Sequence, residues 1–128
     1  MKIVRSKEFR ADRPWGALDI ATMNGITTRL HWTDQPYRWH VNDGEEVFAV
    51  LDGKVAMRYR QDGQEYCTLL HAGDVFFAGV GCEHVAFGTD LATGANYQQL
   101  AFERSHWRRW EGINRFNRVF GEDIPSRY

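Results

Sequence analysis

No run of apolar residues in this chain is long enough to cross a bilayer as a helix. The first residues, Met1-Lys2-Ile3-Val4-Arg5-Ser6-Lys7-Glu8, lack the apolar core of a secretory leader. Both absences lead us to expect a soluble, cytoplasmic protein with no membrane partner. Cysteine is scarce: Cys67 and Cys82 are the only two among 128 residues, too few for a disulfide framework and not arranged as Cys-x-x-Cys. They read as reduced thiols, with a thiolate ligand as a second reading for Cys82, two residues before His84. An excess of one charge is missing as well. With 16 Lys and Arg against 17 Asp and Glu, the net charge is −1 and the pI about 6.5, so no general attraction to nucleic acid is expected. Internal repeats, low-complexity tracts and an interdomain linker are also missing.

What is present is β-sheet chemistry. A mass of 14.9 kDa fits one domain, and aromatic residues at 14 % supply bulk to fill a small barrel or line a pocket. Short apolar or β-branched segments recur between turn signals. Leu18–Met23 leads through Asn24-Gly25, a strong hairpin signal, into Ile26–Trp32. Further strands are expected at Tyr37–Asn42, Glu46–Leu51, Lys54–Arg60, Glu65–Leu70, Val75–Ala78, His84–Phe87 and Asn96–Glu103. Turns spaced roughly eight to twelve residues apart mark an all-β sandwich or barrel. The tail differs. Between Arg104 and Phe120, Trp107, Trp110, Ile113, Phe116 and Phe120 recur at roughly helical spacing among arginines, interrupted by Gly112. An Arg and aromatic surface for nucleic acid is one reading. The neutral net charge favours a short helix that lays its aromatics on the barrel or on a second subunit.

Two stretches carry the candidate chemistry. In Trp39-His40-Val41-Asn42-Asp43-Gly44-Glu45-Glu46, an imidazole and a carboxylate flank a short turn, and Asn42 shares the face of His40 because strand side chains alternate. If the turn folds the chain back, Glu46 faces the interior that His40 faces, followed on that side by Phe48 and Val50. The opposite side, Val47, Ala49 and Leu51, is also apolar, as expected for a strand covered on the outside. A carboxylate directed into such an interior needs a compensating positive charge, and a cation is the economical one. Glu46 has other readings, as a solvated strand-end residue or a partner of Arg38. Downstream, Gly73–His84 supplies a second imidazole after another strand and a glycine-rich turn. Two histidines and one carboxylate bind first-row divalent ions facially and leave positions open. His71 and His106 read as ordinary hydrogen-bonded histidines, and so does His31, although its strand could line the same interior.

Together these stretches resemble the two motifs of the cupin superfamily. Asp34, His40, Asn42, Glu46 and Gly53 fall at the places of Gly-x5-His-x-His-x3,4-Glu-x6-Gly. Gly73, Gly79, Gly81, His84 and Gly88 fall at those of Gly-x5-Pro-x-Gly-x2-His-x3-Asn. The resemblance implies a double-stranded β-helix (jelly-roll barrel) as a single domain over residues 1–128, with a core of about 15–103 and the tail at 104–128. It implies a metal centre of His40, Asn42, Glu46 and His84 holding a divalent ion such as Fe, Mn, Zn or Ni, with Glu46 and His84 as catalytic residues. Asn42 departs from the pattern. Its amide oxygen is a weaker donor than imidazole, so the site holds metal less tightly or works with the other three ligands.

The function the resemblance implies is a metal-dependent enzyme acting on a small carboxylate, carbohydrate or phenolic metabolite. The alternatives are a non-catalytic ligand-binding or sensory protein, and a metal-free isomerase with His84 or Glu46 as base. Trp39, Phe48, Phe76 and Tyr97 are expected to wall the pocket, with Arg38, Tyr59 and Gln98 orienting polar groups. Edge strands and an aromatic tail lead us to expect a homodimer.

Overall fold

Both hairpins that the chain forms locally are set by left-handed backbone. Asn24 and Gly25 adopt φ of 50° and 77°, and Asp62 and Gly63 adopt 53° and 76°. Two consecutive positive φ values give the tight turn whose twist matches paired antiparallel strands. The first joins β1 (Gly16–Met23) to β2 (Ile26–Thr33), and the second joins β5 (Lys54–Gln61) to β6 (Gln64–His71). The remaining strands are β3 (His40–Val41), β4 (Glu46–Asp52), β7 (Val75–Ala78), β8 (Glu83–Phe87) and β9 (Tyr97–Arg104), and a 3-10 turn at Ser6–Glu8 precedes them all. The structure is a computed structural model that describes residues 1–42, 44–87 and 95–104. The helical tail expected over 104–128 lies outside the described residues beyond Arg104, which ends β9, and so do His106 and Gly88.

The strands form two antiparallel sheets, one ordered β1-β2-β9-β4-β7 and the other β3-β8-β5-β6. The all-β, jelly-roll expectation holds. Asp52-Gly53, by contrast with the hairpins, carries the chain from the first sheet to the second, since β4 and β5 do not pair. Gly53 has φ 77°, and a Cβ there would collide with the Asn96 carbonyl oxygen. Only glycine meets both demands. Between the sheets, alternate residues build a core of Trp15, Phe48, Val50, Val55, Met57, Leu70, Ala86, Tyr97 and Ala101. Pairing of Glu46 with Glu103, and of Phe48 with both Phe76 and Ala101, brings one parity of β4, β7 and β9 to the inner face.

Among the described residues, the outer face of the first sheet is covered at one end. Gln98 Nε2 donates to the carbonyls of Ser6 and Phe9, both at 2.9 Å, and the Arg10 guanidinium lies 5.0 Å above the Trp32 ring. This N-terminal strap explains why β2 is buried on both faces, Leu30 and Trp32 included. The other end corrects an expectation. Val47 and Leu51, on the outer side of β4, are exposed rather than covered among the described residues.

Candidate metal centre

His40 and His84 face each other as direct register partners of β3 and β8, so both imidazoles emerge on the same inner face. Glu46 opens β4 in the opposite sheet and points into the same space. Their potential ligand atoms, one per residue, lie within 4.8 Å of one another. All three side chains are buried, Glu46 and His84 to 2 % exposure. The ring centroids of the histidines are 4.2 Å apart, and His84 Nε2 lies 3.4 Å from Glu46 Oε1. That spacing suits donors on a shared ion, since adjacent donors at first-row bond lengths stand about 3 Å apart.

Second contacts orient both rings. His40 Nδ1 is 3.0 Å from the Arg38 carbonyl oxygen, and His84 Nδ1 is 3.1 Å from the Cys82 carbonyl oxygen. A carbonyl only accepts, so in each ring Nδ1 carries the proton and donates. Neutral imidazoles held this way present the Nε2 lone pair inward, the arrangement found around metal-bound histidines. The donor set and its outer contacts therefore fit a divalent ion. Tyr37 meets the His40 ring edge-on at 5.0 Å, and Phe76 lies 5.9 Å from His84.

Electrostatics favour a positive charge here. Burial on its own would lower the His84 pKa. The hydrogen bond to Cys82, together with the hydrogen bond to and charge of Glu46, outweighs burial and raises it from 6.5 to about 9. Without metal, a proton occupies the position that balances Glu46. Burial and the same carboxylate push the Tyr97 phenol well above its ordinary range, and its hydroxyl donates to Gln99 Oε1 at 2.7 Å.

The fourth residue singled out in sequence, Asn42, also reaches the site. Its Nδ2 donates to Glu46 Oε1 at 3.0 Å, between two buried side chains. Arg38 contributes its backbone carbonyl, and Cys82 likewise acts through its carbonyl, its sulfur lying outside the ligand cluster. His31 is buried opposite Gln99, and His71 is exposed beside Asp74; neither joins the cluster.

The small cavity at the centre is lined by Trp15, Tyr37, Phe48, Met57, Ala86 and Gln99 besides the three ligands. Phe48 was expected in it. Trp39 instead lies beneath the Arg60 guanidinium, 3.9 Å from it, on the outer face of the second sheet. Gln98 points outward to the strap while its neighbour Gln99 lines the cavity. Period-two alternation carried that signal, because Gln99 shares the parity of Tyr97. Trp15, whose φ is 58°, precedes the first strand and had no sequence pattern to place it.

No family model matches the chain, and no curated protein matches it significantly. Solved structures do. A cupin-2 domain protein from Shewanella frigidimarina is 24 % identical, with a TM-score of 0.59 over 73 % of this chain and 84 % of that one. An uncharacterized double-stranded β-helix protein from Klebsiella pneumoniae is 15 % identical, with a TM-score of 0.64 over 81 % and 90 %. Hydroxypropylphosphonic acid epoxidase from S. wedmorenis is 17 % identical, with a TM-score of 0.52 over 62 % of this chain and 43 % of that one.

Proposed function

We propose that this chain, which has the cupin fold, is a divalent-metal enzyme acting on a small polar metabolite, with His40, Glu46 and His84 holding the ion. One observation carries the reading: both imidazoles commit Nδ1 to a backbone carbonyl, which turns both Nε2 atoms onto a buried carboxylate. A bound ion of the Fe, Mn, Zn or Ni class supplies Lewis-acid polarisation of a substrate oxygen or activation of water.

The chain's own residues then shape what binds. The cavity is narrow at its centre, where the chelating end of a substrate would meet the ion. Among the described residues no Lys or Arg lines it, so a bound cation would serve as the partner for an anionic oxygen. From His84, ring contacts run through Phe76 and Tyr59 to Tyr66, which is exposed. Gln99, held by the Tyr97 hydroxyl, offers a fixed amide to a polar group.

A second reading has its own support. His84 and Glu46, 3.4 Å apart with the imidazole pKa raised to about 9, form an acid and base pair suited to metal-free isomerisation. Metal analysis of protein purified without a His-tag separates the two. Near-stoichiometric first-row metal, lost in His40→Ala, supports the metal enzyme. Substoichiometric metal unchanged by His40→Ala defeats it. With metal bound, loss of turnover in a folded Glu46→Gln variant distinguishes an enzyme from a binding protein.

A further inference from the structure

We infer that Asn42 is a positioning residue for Glu46 rather than a ligand, so that an ion in this centre has three protein donors. This rests on the metal reading above and specifies it. An amide ligates a hard or borderline cation through its oxygen, whereas Asn42 presents its nitrogen to the carboxylate, with Nδ2 3.0 Å from Glu46 Oε1. In the metal-free site, reversing the amide would set two acceptors against each other with no proton between them, so the amide is already committed through its nitrogen before an ion arrives. The reversed arrangement costs far more than the hydrogen bond it would replace. The backbone reinforces the placement, since the Asn42 carbonyl accepts from the Gly81 amide at 3.4 Å.

The hydrogen bond has two consequences for the site. It fixes the rotation of the carboxylate, keeping Oε1 toward His84 Nε2. It also orders the carboxylate before an ion arrives, so its loss makes binding costlier. One more coordination position stays available to small molecules than if Asn42 were bound to the ion.

The full chain, stripped of metal and reloaded with Co(II), provides the test in wild type, Asn42→Ala, Asn42→His and His40→Ala. Metal content, affinity by competition and the visible Co(II) bands, which report coordination number, are the readouts, with circular dichroism to confirm folding. Asn42→Ala is expected to keep one cobalt per chain and the wild-type bands, with affinity weakened by about 10- to 100-fold as for other residues that orient a ligand. Asn42→His is expected to bind more tightly and to shift the bands as a fourth donor enters. The inference is overturned if Asn42→Ala releases cobalt as fully as His40→Ala, or if its bands show a lost donor. A wild-type chain that takes up no cobalt fails the metal reading itself, an outcome distinct from these. In metal-free protein, the Asn42 side-chain amide protons should exchange slowly by nitrogen-15 NMR and speed up in Glu46→Ala. Exchange at the solvent rate in the wild type would show that the hydrogen bond does not form.

Discussion

In the proposed centre three side chains decide the chemistry, and what matters about each is the atom it offers. His40 and His84 give Nε2 because Arg38 and Cys82 carbonyls claim the other nitrogen. The metal-free protein carries a pH signature of this arrangement. The folded His84 pKa of about 9 lies above the ordinary 6.5, so its contribution to stability is complete below pH 6.5 and is lost as pH rises through 9. Urea unfolding of chelator-treated protein should show stability falling between those values, with a flatter profile in Glu46→Gln; a rise with pH would contradict the pairing. At this scale much was legible beforehand. His40, Glu46 and His84 stood out by chemical type and by their places in the two motifs. Gln99 did not, although the alternation that pointed Tyr97 inward applied to it equally. The orienting carbonyls were illegible, because every residue carries one and only the fold decides which a ring meets.

At the scale of the strand and turn, equal backbone angles have unequal consequences. Gly53 and Gly63 have φ of 77° and 76°, but Gly63 has open space where a Cβ would stand and Gly53 has the Asn96 carbonyl. Gly63→Ala is expected to cost about 1 kcal/mol, the strain of a left-handed L residue. Gly53→Ala should cost more, about 2–3 kcal/mol or above, because β4 must shift away from the start of β9. Equal urea midpoints for the two variants would show that Asn96 yields freely. The hairpin turns were readable since Asn-Gly and Asp-Gly impose their geometry locally. That Asp52-Gly53 crosses between sheets was not, because the same dipeptide serves either role and the choice depends on strands far along the chain.

At the scale of the whole molecule, an uncovered apolar surface among the described residues lies on the outer side of the first sheet. Register places Phe77 beside Val47 and Val47 beside Phe102, and these side chains are 64 %, 37 % and 38 % exposed, with Val75 beyond them at 63 %. An apolar row of this kind marks an association surface, and we propose it as the contact of the homodimer expected from the sequence. Sedimentation at micromolar concentration should give a dimer that Val47→Ser with Phe77→Ser converts to monomer without loss of near-ultraviolet circular dichroism. A wild-type monomer would refute it. No helix among the described residues is long and apolar enough to cross a membrane.

By itself the sequence determined the strands and the tight turns and singled out His40, Glu46 and His84 as candidate ligands, because alternation, turn chemistry and ligand type are properties of a few neighbouring residues. Tertiary structure alone decided that β3 and β8 lie side by side and face the start of β4, that Asn42 turns its nitrogen toward Glu46, and that the strap covers β2 but leaves β4 bare. Each of these depends on segments dozens of residues apart meeting across two sheets, and long-range pairing of that kind leaves no periodic trace in the chain.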